Sequence, residues 1–163
     1  MDGIAANVVV ENARMWQLVN FRELGIVAAF FLATIGSALG CFVAGSATIG
    51  AWKKCFMQNK PAPFVMVAFA GAPLTNTIYG YILMNSLMTS PLSALQLLFA
   101  GVLAGSCLLI SAFTQAKCAA FASEAYAETG QGFGNFIMII GLCETIALFT
   151  MVFTMLLAGG SGA

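Results

Sequence analysis

Glu144 stands in the run Gly141-Leu-Cys-Glu-Thr-Ile-Ala-Leu-Phe149, with apolar residues on both sides. An ionised carboxylate at the centre of a bilayer costs at least ~2.5–3.5 kcal/mol on insertion scales. Such a group persists when it is paired, protonated or bound to a cation. Its candidate partners are polar residues at the same depth. The second hairpin of a four-span reading turns near Thr129-Gly130, with Gln115 about 14 residues before it and Glu144 about 14 after; at about 1.5 Å per residue both lie about 21 Å from the tip. The same count from the first loop places Thr75 and Asn76 at that depth, with Tyr79 one turn further on. Thr75 and Tyr79 are spaced i, i+4 and share a helix face. Pro73 cannot donate a backbone hydrogen bond, which frees the Phe69 carbonyl four residues back and loosens others nearby.

One carboxylate, two amides, two hydroxyls and loosened backbone oxygens are ligands for a hard cation, or a cage for a protonated carboxyl. Blander roles exist for each. Thr75 and Asn76 are also the polar glue that holds membrane helices together. Glu144 is also explained by a structural ion pair with Lys117. That lysine lies nearer the loop end, where its long stem lets the ammonium snorkel to water, so it reads as interfacial.

The elements that hold these residues follow from composition. The 163 residues are 61% hydrophobic and only 7% charged, with mean hydropathy +0.96. Soluble domains carry roughly a quarter charged residues, so the chain is an integral, multi-pass membrane protein. The expected fold is all-α, with four transmembrane helices over residues 23–52, 63–88, 92–125 and 133–158. The Lys-Lys to Pro-Ala-Pro stretch (53–63), Thr89-Ser90-Pro91 and Thr129-Gly130-Gln131-Gly132 separate them. This divides the chain into an N-terminal extramembrane or interfacial segment (1–22), a first hairpin (23–89) and a second hairpin with the carboxylate (90–163). Residues 2–22 read as a segment along the membrane surface or as a loose tail. The first apolar run starts near Leu24, outlasts a signal peptide's core and reads as retained. Lys53, Lys54 and Lys60 in the first loop place both hairpin loops in the cytoplasm.

Zero net charge and no basic patch exclude nucleic acid as a partner. Cys41, Cys55, Cys107, Cys118 and Cys143 show no CxxC spacing and read as small apolar thiols.

Two patterns suggest assembly. Residues 71–82 (GAPLTNTIYGYI) lie over 141–152 (GLCETIALFTMV), so the hairpins look duplicated, with Leu74 where Glu144 stands in the other copy. Small residues recur on the first span (Gly36, Gly40, Ala44, Thr48, and the row Ala29, Ala33, Ser37, Cys41, Gly45). They recur on the third as Gly101, Gly105, Ala112, Ala116 and Ala120. Such rows let backbones approach closely in lipid, within one bundle or in the crowded inner layer of an oligomer.

Four segments (GSALGCFVAGSA, PLTNTIYG, TQAKCAA and CETIAL) make residues 25–157 resemble the proteolipid, the K or c rotor-ring subunit of V-type ATPases, and in particular its bacterial sodium-type members. The resemblance implies a ring of identical double hairpins in lipid, each carrying Na⁺ or H⁺ on Glu144. The ring turns against a stator subunit that supplies an arginine and sits on a central stalk, coupled to ATP hydrolysis or synthesis. The subunit itself makes and breaks no covalent bond and needs no covalent cofactor. For sodium-type members the resemblance implies ligands at Thr75, Gln115, Glu144 and the Ala72 carbonyl, with Tyr79 closing the site. At Asn76 those members have glutamine. Asn is one methylene shorter, and a hard cation of sodium's size needs oxygens near about 2.4 Å, so a bridging water or proton binding fits that position. The sodium-type likeness points to a bacterial plasma membrane. The alternative from another class is a small four-helix proton-coupled multidrug antiporter, which needs a wide aromatic cavity. A purely structural tetraspan scaffold leaves Glu144 unexplained.

Overall fold

The computed structural model of the chain describes residues 20–159. They form α1 (Phe21–Met57), a 3-10 turn (Phe64–Met66), α2 (Val67–Gly71), a second 3-10 turn (Ala72–Leu74), α3 (Thr75–Met88), α4 (Ala94–Thr129) and α5 (Phe133–Gly159). Three of these, α1, α4 and α5, are long and apolar enough to cross a membrane. The expected reading of residues 1–19 lies outside the described residues, as do residues 160–163.

The expected second span is a divided arm. Its helical path runs from Phe64 to Met88 but is broken into short segments around Pro73. The proline removes one N–H from the ladder, and the backbone answers by tightening into a 3-10 turn. The Phe69 carbonyl, expected to be free, instead accepts the Ala72 N–H. The oxygen loosened by the break is therefore not that of Phe69.

Local chemistry ends each helix. Asn20 caps α1 through its side chain, which accepts the Glu23 N–H at 3.3 Å. Ser93 and Gln96 form a reciprocal capping box at the start of α4. Gly130 closes α4 with φ +65°, a left-handed conformation natural to glycine, and its N–H donates to the Tyr126 carbonyl at 2.8 Å.

The core is the seam between α1 and α4, which run side by side. The small-residue rows meet here, within one chain: Gly36, Gly40, Ala44 and Thr48 are buried, as are Gly101, Gly105, Ala112 and Ala116. A Cβ on Gly36 would stand 2.5 Å from the Leu109 Cα, and one on Gly101 would overlap the Gly25 carbonyl. Further along the seam, Thr48 and Ser123 share a buried hydroxyl hydrogen bond of 2.8 Å. The divided arm packs antiparallel on α1, with Pro73 against Gly40 and Gly80 against Ala33. In turn α5 covers α4.

Both ends are tied. The Arg22 guanidinium donates to the carbonyls of Met88 (3.3 Å), Ser90 (3.1 Å) and Leu92 (3.4 Å). Ser90 Oγ donates to the Ala158 carbonyl at 2.7 Å, joining the same loop to α5. At the opposite end Trp52 Nε1 donates to the Pro63 carbonyl at 3.0 Å. There the buried Phe69 ring meets Tyr126, Phe133 and Phe136 with centroids 5.3–6.3 Å apart, so the divided arm is clamped to both helices of the second hairpin.

Overpacking a close helix seam costs about 1–3 kcal/mol or more. Gly101→Val is therefore expected to lower the thermal unfolding midpoint of the detergent-solubilised protein. An unchanged midpoint would show that the α1–α4 approach is looser than described.

Candidate functional site

Three helices bring polar side chains to one level, midway along α5. Tyr79 and Asn76 come from α3, just after the 3-10 turn. Gln115 comes from α4 and Glu144 from α5. The Tyr79 O–H donates to Glu144 Oε1 at 2.6 Å, and Gln115 Nε2 donates to Glu144 Oε2 at 3.3 Å. Behind them, Asn76 Nδ2 donates to Gln115 Oε1 at 3.3 Å. Each carboxylate oxygen thus receives one donor, and the second amide orients the first.

Burial grades across this chain. Asn76 and Gln115 are fully buried, while Glu144 and Tyr79 are half-buried. The amides form the inner wall and the carboxylate faces outward, between that wall and the outer surface of α5. That surface is apolar, with Leu142, Ile146 and Phe149 exposed. Hydrogen bonds to charged groups are worth about 1.5–3 kcal/mol, and a low-dielectric setting strengthens them. The two donors therefore offset much of the cost of placing the carboxylate there.

Thr75 donates its hydroxyl to the Ala72 carbonyl at 3.1 Å. These two oxygens sit at the 3-10 turn beside Pro73, one helical turn from Tyr79. Lys117 does not pair with Glu144: it is exposed, and its ammonium lies 5.4 Å from the Phe113 ring centroid, a cation–π contact. Among the described residues the ion pairs are those of Lys54 with Glu124 (3.2 Å) and Glu128 (4.0 Å), at the far end of the seam.

Equal depth along the spans pointed to Gln115, Glu144, Thr75 and Asn76, with Tyr79 one turn further on; the structure links all of these except Thr75, whose hydroxyl bonds the Ala72 carbonyl instead. Depth missed the Ser111 hydroxyl, which donates to the Cys143 carbonyl at 3.2 Å and fixes α5 against α4 beside Glu144. It also missed the Cys118 and Cys143 thiols, 3.6 Å apart across the same helices. Neither contact leaves a periodic signal, because each depends on the rotation of α5 about its axis.

Tyr79 covers the carboxylate with a single short bond. Tyr79→Phe removes that donor and keeps the ring. It is expected to speed labelling of Glu144 by a carboxyl-reactive carbodiimide about tenfold or more, the scale of a lost hydrogen bond to a charged group. A rate equal to that of the unmodified protein would show that the tyrosine does not guard the site.

No curated protein matches the chain. Residues 98–157, which run from the first turns of α4 almost to the end of α5 and include both Gln115 and Glu144, match the family model for the C subunit of ATP synthase. The hairpin that carries the carboxylate is thus similar to that family, whose members are non-catalytic, ion-translocating rotor proteins.

Proposed function

We propose that this chain is the rotor-ring subunit of a V-type rotary ATPase and carries a monovalent cation, Na⁺ or H⁺, across the membrane on Glu144. The observation that carries this reading is the Glu144 carboxylate, held mid-helix by the Tyr79 hydroxyl and the Gln115 amide. A permanent lysine or arginine partner would make the group a fixed fastening. Neutral donors that can turn away make it reloadable. The family match over 98–157 supports a rotor over a multidrug antiporter.

The mechanism follows from the donor set. Facing lipid, Glu144 is neutralised by its ion, and the amides and hydroxyls satisfy the remaining polar atoms. Where the ring meets a stator, water and a positive side chain replace the ion, which leaves. Reloading restores the neutral, lipid-compatible state. Na⁺ would be held by Glu144 with oxygens from Thr75, Gln115 and the Ala72 carbonyl, closed by Tyr79. A proton needs the carboxyl and one acceptor.

In this proposal the hairpin of α1 and the divided arm duplicates the hairpin of α4 and α5, with Leu74 in place of the second carboxylate. Identical copies form the ring and meet lipid on their exposed apolar faces. The loops at 58–63 and 130–132 face the cytoplasm of a bacterial plasma membrane and seat the ring on a central stalk. Lys53, Lys54 and Lys60 at that end support the orientation.

Three measurements test this. Detergent-solubilised protein is expected to run as a particle of many subunits, and a monomer or dimer would contradict the rotor. Millimolar Na⁺ is expected to slow carbodiimide labelling of Glu144 if sodium is the cargo. Labelling that ignores Na⁺ but follows pH would assign the proton instead. Glu144→Gln is expected to abolish transport in the assembled ATPase while the ring persists. Loss of the ring would make the residue structural.

A further inference from the structure

Two buried polar atoms among the described residues have no hydrogen-bond partner: Asn76 Oδ1 and Ser37 Oγ. Asn76 is fully buried and Ser37 is 2% exposed. An unmet buried polar atom costs about 1–3 kcal/mol, so two of them beside a candidate ion site call for an explanation.

Packing places them together. On α1, Ala33, Ser37 and Gly40 lie on one face; on the divided arm, Pro73, Asn76 and Gly80 do the same. A Cβ on Gly80 would stand 2.5 Å from the Ala33 Cβ, and one on Gly40 would stand 2.7 Å from the Pro73 Cβ. The arms are antiparallel, so these two contacts fix the register and bring Ser37 level with Asn76. The Ser37 hydroxyl also departs from the habit of its neighbours. Thr34, Ser46 and Thr48 each donate to the carbonyl four residues back, at 2.6–2.9 Å. Ser37 leaves the Ala33 carbonyl alone.

We infer that Ser37 is the inner terminus of an amide relay, Ser37–Asn76–Gln115–Glu144, that reverses its hydrogen-bond polarity when Glu144 is loaded. This rests on Glu144 being the ion seat. The described arrangement is one polarity: Asn76 N–H donates to Gln115, and Gln115 N–H donates to Glu144. It suits an unloaded carboxylate, which only accepts. A loaded site needs an oxygen from Gln115, to take the carboxyl proton or to ligate a cation. Turning the Gln115 amide over supplies it, and its N–H then faces Asn76. Asn76 must turn too, offering Oδ1 to Gln115 and its N–H to α1. In the first polarity the inner partner must donate to Asn76 Oδ1; in the second it must accept from Asn76 N–H. Ser37 Oγ and Asn76 Oδ1 are not hydrogen-bonded to each other in the described arrangement; a hydroxyl does both, by rotation of its own proton, through one bridging water. A backbone N–H or a backbone carbonyl in that place would serve one polarity alone. Ser37 is a positioning residue, since it acts on Glu144 only through the two amides.

The test is the carbodiimide labelling of Glu144 in the full-length protein, as a pH profile with and without Na⁺, for Ser37→Ala, Asn76→Ala and the double variant. Ser37→Ala keeps the small-residue packing and is expected to leave the ring's mass unchanged. It is expected to move the pH or Na⁺ midpoint about tenfold, the scale of one hydrogen bond. The double variant is expected to move it no further than Asn76→Ala alone, because both act through one chain. A Ser37→Ala midpoint equal to that of the unmodified protein, or shifts that add in the double variant, would overturn the relay while leaving Glu144 as the seat. Loss of the ring in Ser37→Ala would assign the residue to packing and also overturn it. Labelling of the unmodified protein that responds to neither pH nor Na⁺ would overturn the seat itself, and the relay with it.

Discussion

A carboxylate inside an apolar helix bundle must have its oxygens met. Glu144 has one donor on each, from Tyr79 and from Gln115. Both donors are neutral, and they sit on different helices. The site therefore exists only while α3, α4 and α5 hold a common level. Much of the remaining structure serves that requirement.

The seam of α1 and α4 supplies the rigid reference. Glycines at 25, 36, 101 and 105 let the two backbones touch, and the buried Thr48–Ser123 bond pins their register further along. From this seam the divided arm is placed by Pro73 on Gly40 and by Ala33 on Gly80. The arm is clamped by the Phe69 aromatic cluster at one end and by Arg22 at the other. α5 is set by the Ser111–Cys143 hydrogen bond beside the site and by Ser90 on the Ala158 carbonyl at its end. Each tie is modest, of order 1 kcal/mol. Together they leave Glu144 little freedom to drift from Tyr79 and Gln115. The break at Pro73 belongs to the same design. It lets the arm change from 3-10 to α just before Asn76 and Tyr79, where the chain must turn polar groups inward.

The sequence carried the outline of this site because depth in a membrane is linear in residue number. Counting from Thr129-Gly130 sufficed to pair Gln115 with Glu144; the same count from the first loop reached Thr75 and Asn76, and helical spacing then reached Tyr79 one turn on. Small-residue rows pointed to close helix contacts, and the chain uses them between its own α1 and α4. What depth cannot give is rotation. The Phe69 carbonyl, expected to be free, bonds to Ala72 because the backbone tightens locally instead of kinking open. Ser37 read as one more small residue in a packing row, and only the Gly40 and Gly80 contacts place it opposite Asn76. The Phe69 cluster joins the divided arm to the distant turn of the second hairpin and has no period to reveal it.

The central claim is that Glu144 is loaded and unloaded while the fold around it stays assembled. Difference infrared spectroscopy of the detergent-solubilised protein, with Glu144→Gln as the reference for assignment, reads that carboxyl directly. Stepping pH or Na⁺ concentration is expected to shift the Glu144 band reversibly between its loaded and ionised forms, with the backbone amide bands unchanged. A Glu144 band that stays fixed across both steps, or moves only when the backbone unfolds, would contradict the account.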